Sequence, residues 1–202
     1  MLKVTVVDYS AGSLRNISMA LGAAGAEVHI TDNAEDILAA EKLVLPGVGD
    51  FSEAMERLKS KKLDFALRKY AELQKPFLGI SLGMQLLFQF SEEGDSPGLG
   101  ILRGRIIHIP QVGDIKIPQV GWNNVFHLKN SALFDGIADN SYFYFSHSYY
   151  LETDSDEIVC ASVTHGVDMC AAVESQNILA VQFHPERSGG LGIRLLQNFV
   201  EI

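Results

Sequence analysis

Cysteine is scarce in this sequence: of 202 residues, only Cys160 and Cys170 carry thiols. Both lie in apolar, β-like segments, EIVCASV and DMCAAV, so two buried reduced thiols are expected rather than a disulfide framework. Their spacing offers no metal-binding pair. The histidines His29, His108, His127 and His165 stand singly in strand-like or turn contexts, so neither a metal nor another cofactor is expected. Basic charge is also short. The chain has 16 Lys and Arg against 25 Asp and Glu, a net charge of -9. That balance repels phosphate backbones and anionic lipid, which argues against nucleic-acid and membrane partners. Long hydrophobic runs are missing too, and MLKVTVVDYS meets an Asp too early for a signal peptide, so a cytoplasmic protein is expected. The glycines at 98, 100, 104, 189 and 190 fit neither the dinucleotide fingerprint nor the P-loop.

What is present is ordinary for a globular chain, with 47% hydrophobic and 20% charged residues. A chain of this length buries roughly 70% of its unfolded surface as one domain, so a single domain over residues 1–202 is expected. KVTVVDY reads as a strand, followed by the helical pattern LRNISMALGAAGA with Ser13 as its N-cap. EVHIT and AEDILAA repeat that sequence of events, and KLVLPGVG reads as a buried strand ending in a Pro/Gly turn. Asp50 with Glu53 has the form of a capping box opening a helical stretch to Gln74, broken near Ser60. PFLGI is a further strand, and LGMQLLFQFSEE returns to helical spacing. Four strand and helix pairs in succession predict an α/β fold: an open, mostly parallel, twisted sheet with helices on both faces. After Gly98 the pieces become β-rich and turn-separated, which predicts an antiparallel β annex. The last segment, LGIRLLQNFVEI, is an amphipathic helix that packs on the sheet.

In open α/β sheets, ligands bind at the carboxyl ends of the parallel strands. At one such end GISLG matches Gly-x-Ser-x-Gly, so Ser81 falls on a sharp strand-to-helix turn. The following helix offers backbone N–H groups to a developing oxyanion, and PGVG, residues 46–49, ends the preceding strand and can turn another N–H to the same point. His184 in VQFHPERS is a candidate base, with Glu186 placed to orient its ring. An α/β-hydrolase runs serine, acid, histidine and carries an HGGG-type loop. Here the histidine precedes the acid and the loop is PGVG, so a serine esterase ranks last.

PGVGDF, GISLGMQLLF, PQVGWN, YFSHSYY and FHPERSG together resemble the class I glutamine amidotransferases over essentially the whole chain. Within that family the PGVGxF, Gly-Trp-Asn and His-Ser-Tyr-Tyr stretches resemble the histidine-pathway branch, the glutaminase subunits of imidazole glycerol phosphate synthases. The family pattern at the elbow is Gly-x-Cys-x-Gly, so Ser81 stands where a nucleophilic cysteine is expected. A thiol is partly ionised at neutral pH, whereas a serine hydroxyl must lose its proton during attack, so the resemblance implies a very slow or inactive glutaminase. A replaced cysteine and a natural variant both fit that serine.

The resemblance implies hydrolysis of glutamine, with residue 81 as nucleophile, His184 as proton carrier and Glu186 as its orienter. It implies an oxyanion hole at the Val48 and Leu82 N–H groups, and glutamine held by Gly49, Gln85, Glu93, Ser148 and Tyr149. Without the resemblance, Gln85 and Glu93 read as solvated helix residues. The partner implied is a (β/α)₈-barrel cyclase subunit in a heterodimer, touched near Tyr144 and Arg187, which would receive the ammonia. Ser13, Gln119 and Arg187 depart from the residues usual at the matching positions. Two other functions fit the same residues: a paralogue feeding another acceptor, such as a sugar to be amidinated, and a catalytically silent glutamine-binding subunit.

Overall fold

The computed structural model describes residues 2–11 and 14–202. Its N-terminal part alternates strand and helix. β1 (Leu2–Val7) leads to α1 (Leu14–Ala23), β2 (Ala26–Thr31) to α2 (Ala34–Ala39), β3 (Leu43–Leu45) to α3 (Phe51–Ser60) and α4 (Leu63–Glu72), and β4 (Phe77–Ile80) to α5 (Leu82–Leu86). The cap expected at Ser13 lies outside the described residues. Asp50 caps α3 by accepting from the Glu53 N–H. Glu53 turns its own carboxylate to Arg57 at 3.4 Å instead of reaching back, so only half of the reciprocal box forms. The break expected near Ser60 is at Lys61 and Lys62, the latter left-handed at φ 60°.

The rest of the chain supplies β5 (Phe90–Ser91), β6 (Ser96–Pro97), β7 (Arg105–His108), β8 (Gln119–His127), β9 (Ser141–His147), β10 (Tyr149–Glu152), β11 (Val159–His165), β12 (Val167–Ser175), β13 (Ile178–Val181) and α6 (Gly189–Glu201). A nine-stranded sheet runs β2-β1-β3-β4-β13-β12-β11-β8-β9, and a four-stranded sheet runs β10-β7-β5-β6. From β2 to β13 the strands are parallel. From β12 to β9 they are antiparallel. Thus most of the β-rich second half extends the main sheet, and only the small sheet stands apart as an annex. ILAV enters the centre of the parallel part as β13, and all four of its residues are buried, as expected of a strand covered on both faces.

The helix expected through residues 82–93 is α5 and ends at Leu86. Its last carbonyls are taken by the passing chain: Leu99 N–H donates to Leu86, Ile101 and Leu102 N–H to Leu87, and Gly100 N–H to Phe88. With those acceptors occupied, the helix has no bonds left with which to propagate.

Alternation along the strands divides the core between two faces. Val4, Val6, Leu78 and Ile80 pack with Ile17 and Leu21 of α1 and Leu195 and Phe199 of α6. Val7, Leu45 and Phe77 pack on the other side with Ile37, Met55, Leu58 and Leu67 of α2, α3 and α4. Phe143 of β9 stacks on Phe183 with ring centroids 4.3 Å apart, which ties β9 to the segment leaving β13.

Candidate active site

The register of two neighbouring parallel strands sets the site. β4 and β13 pair Gly79 with Ala180 and Ile80 with Val181. The Ser81 N–H extends that ladder by donating to the Val181 carbonyl at 2.8 Å. Ser81 and the segment 182–184 therefore leave the same end of the sheet side by side. Ser81 has φ 55° and ψ -115°, a region that L-residues seldom occupy. Such a backbone costs on the order of 1–3 kcal/mol, so the surrounding packing must enforce the turn.

β3 on the other side of β4 supplies that packing. A Cβ built on Gly47 would lie 2.4 Å from Tyr9 Oη and 2.9 Å from Leu82 Cβ. Tyr9 Oη donates to the Pro46 carbonyl at 2.9 Å and pins the turn from below. Gly49 has φ 108°, a conformation open to glycine, and reverses the chain before α3. The expected convergence of PGVG on the elbow is thus a direct backbone contact.

His184 follows Gln182 and Phe183 and is 2% exposed. Its N–H donates to the Tyr144 carbonyl at 2.8 Å, and its carbonyl accepts from Ser188 Oγ at 2.6 Å. With the main chain held at both ends, the ring Nδ1 meets Glu186 Oε1 at 2.8 Å. Both side chains are almost fully enclosed. This pairing leaves Nε2 as the nitrogen available to a reacting group.

A cleft of about 500 Å³ contains these elements, lined among others by Val48, Gly49, Ser81, Leu82 and His184. Gln85, Glu93, Ser148, Tyr149 and Arg187 also line it, so the structure gathers around one cavity all but two of the residues given a catalytic, substrate or partner role from sequence. Those two, Glu186 and Tyr144, touch its lining residues His184 and Arg187 respectively. Gln85 differs from a solvated helix residue: it is 5% exposed. Its Nε2 donates to the Tyr149 carbonyl at 3.0 Å and to Gln182 Oε1 at 2.9 Å. Glu93 accepts from the Phe51 N–H at 2.9 Å. Burial, with the Asp50 charge adding, outweighs that bond and holds the Glu93 carboxyl above its ordinary range. Burial likewise raises the Tyr149 hydroxyl.

Beside the mouth, Arg187 lies over the Tyr144 ring at 4.3 Å, and Trp122 meets the same ring edge-on at 6.3 Å. Trp122 is 55% exposed, and Val120 and Tyr142 are also exposed. The family resemblance implies a partner contact near Tyr144 and Arg187, while Trp122 enters there only through the Gly-Trp-Asn stretch. The structure places it in an open patch with both. Among the described residues, no group of three His, Cys, Asp or Glu is arranged to hold a metal ion. Cys160 and Cys170 are unpaired and buried, and burial pushes the Cys160 thiol up to about 12. No described helix is long and apolar enough to cross a membrane.

Comparison with known proteins bears on this geometry. The family model for class-I glutamine amidotransferases matches residues 5–202. Imidazole glycerol phosphate synthase subunit HisH of Methanocaldococcus jannaschii is 44% identical over 200 residues, covering 98% of this chain and 99% of that protein. Its counterpart in Methanosarcina mazei is 42% identical over 205 residues and covers all of both, 100% in each case. Among solved structures, PurLQS from Thermotoga maritima aligns with TM-score 0.76 and 22% identity over 98% of this chain and 97% of that one. The crystal structure of a glutamine amidotransferase aligns with TM-score 0.76 and 18% identity, covering 98% of this chain and 97% of that one. At those identities the structural likenesses speak to the fold.

Proposed function

Because the chain belongs to the class-I glutamine amidotransferase family, we propose that it is the glutaminase subunit of an imidazole glycerol phosphate synthase, a single cytoplasmic domain working as half of a heterodimer. The observation that carries the reading is the exit of Ser81 and His184 from adjacent parallel strands into one cleft, with His184 already bonded to Glu186.

The reaction cleaves the side-chain amide of glutamine. Residue 81 attacks the amide carbon and His184 Nε2 takes the proton released by the nucleophile. The same ring then gives that proton to the departing ammonia. Glu186 holds the ring in the Nδ1–H form and supports its transient positive charge. The N–H groups of Val48 and Leu82 receive the oxyanion, one from each of the two turns packed together at Gly47. Water then hydrolyses the γ-glutamyl intermediate to glutamate, with His184 as base. Gly49, Gln85, Glu93, Ser148 and Tyr149 hold the substrate, and the Glu93 carboxylate suits its α-ammonium group. Both Gln85 amide hydrogens are engaged by protein acceptors, which leaves Oε1 for a ligand.

With serine at position 81 the intermediate is an ester, and the hydroxyl has to be deprotonated in a site suited to a thiolate. Turnover of this chain is therefore very low. Ammonia passes to a (β/α)₈-barrel cyclase that docks on the patch of Tyr144, Arg187 and Trp122 and uses it to make imidazole glycerol phosphate. Ser81 itself favours a second reading, a silent glutamine-binding subunit. One experiment separates the two: glutamine hydrolysis by this chain and by Ser81→Cys, each with and without a histidine-pathway cyclase. Partner-stimulated turnover in Ser81→Cys supports the glutaminase; glutamine binding without turnover in either form supports the silent subunit.

A further inference from the structure

The cleft wall at His147 is part of a hydrogen-bonded chain that the proposed reaction does not use. Gln119 opens β8 and is 3% exposed; His147 closes β9 and is 7% exposed. The two are register partners. Gln119 Oε1 lies 2.8 Å from His147 Nε2, and His147 Nδ1 lies 2.8 Å from the Tyr149 carbonyl oxygen. That carbonyl also accepts from Gln85 Nε2. Gln119 Nε2 is buried and has no hydrogen-bond partner among the described residues.

So arranged, both ring nitrogens face acceptors, which only a doubly protonated imidazole could satisfy. The surroundings oppose that charge. Burial disfavours the cation, the neighbouring ionisable groups His165 and His184 repel it, and His147 is held down at about 4. A neutral ring has one N–H and one lone pair. Turning the Gln119 amide by half a revolution places its NH₂ against Nε2, satisfies the stranded donor and leaves Nδ1–H for the Tyr149 carbonyl. The amide oxygen then lacks a partner, which costs less than a buried N–H without one.

We propose that Gln119 and His147 are positioning residues for the substrate. Gln119 Nε2–H donates to His147 Nε2 and His147 Nδ1–H donates to the Tyr149 carbonyl, so that this relay and Gln85 together fix the main chain on which Ser148 and Tyr149 present themselves to glutamine. The inference rests on the cleft being the glutamine site. Gln85 links the same carbonyl to Gln182, two residues before His184, so the relay also braces the substrate wall against the segment after β13 that carries the base.

Two measurements test it. Nitrogen-15 NMR of the imidazole at pH 7 in the full chain is expected to show a neutral ring protonated at Nδ1; a ring protonated at Nε2, or at both nitrogens, overturns the relay whether or not glutamine binds. Calorimetry with glutamine then compares His147→Asn, whose amide can replace the Nδ1 donor, with His147→Gln, whose amide reaches the Nε2 place instead. His147→Asn is expected to bind glutamine within about threefold of the unaltered chain, and His147→Gln on the order of tenfold more weakly, as for a carbonyl that loses one of its two donors. Equal loss in both variants, or none in either, beside normal binding by the unaltered chain overturns the positioning role alone. Failure of the unaltered chain to bind glutamine overturns the glutamine reading and the positioning role together.

Discussion

Gly83 packs so closely on Leu45 that a Cβ at position 83 would lie 1.8 Å from the Leu45 carbonyl oxygen. The first turn of α5 and the end of β3 are therefore in backbone contact, and Val48 and Leu82, which follow from those two segments, line the same cleft. Gly83→Ala must separate the two turns. It is expected to cost about 3 kcal/mol or more, as overpacking against immovable backbone does, read as a lower midpoint in urea, and to abolish glutamine turnover in the Ser81→Cys background.

Glu186→Gln tests the orientation of His184. The amide can rotate its NH₂ toward Nδ1 and hold the ring in the wrong tautomer for a base at Nε2. Turnover of Ser81→Cys is expected to fall by roughly tenfold to a thousandfold, with glutamine affinity nearly unchanged in calorimetry.

Glu93 is a proposed substrate ligand whose burial opposes its charge. Its carboxyl is raised in the folded chain by burial, so its contribution to stability is present below the ordinary Glu range and is lost as pH rises through the folded value. Glu93→Gln keeps an oxygen for the Phe51 N–H and removes the charge. The variant is expected to be more stable than the parent at pH 7, with the difference gone by about pH 4, and to bind glutamine less tightly. Urea melts at both pH values and a glutamine titration check the two halves.

His147 shifts in the opposite direction, from 6.5 to about 4, chiefly through burial. The folded chain keeps the ring neutral while the unfolded chain takes up a proton below about pH 6.5. Its contribution to stability is therefore complete above pH 6.5 and is lost as pH falls through about 4. The urea midpoint of the parent is expected to drop more steeply over that window than that of His147→Asn.

Much of this is legible in the sequence because local signals and tertiary structure agree. β-branched runs alternating with capped amphipathic helices specify the parallel half, and a Gly-x-Ser-x-Gly turn at a strand end places Ser81 without any coordinates. The antiparallel half is legible only as β-rich pieces, since pairing between β8, β11 and β12 is set by contacts distant in sequence. Likewise, nothing local distinguishes ILAV as a central strand from an edge one. The length of α5 is not legible because residues 98–102, not its own pattern, claim its carbonyls. Gln85 and Gln182 do carry a signal: each is a polar residue inside an otherwise apolar run, LGMQLLF and ILAVQF, and a buried amide there must be hydrogen-bonded. The pairing of Gln119 with His147 has no such signal, for it depends on the register of β8 against β9.

The most direct test of the central claim, that residue 81 is a nucleophile's seat served by His184, is glutamine hydrolysis by the chain, by Ser81→Cys and by Ser81→Cys with His184→Ala, all with the cyclase present. The expected result is a gain on the order of 10³ or more on restoring the thiol, lost again when the imidazole is removed. A Ser81→Cys chain that hydrolyses glutamine no faster than its parent, or one whose gain survives the loss of His184, would contradict the account.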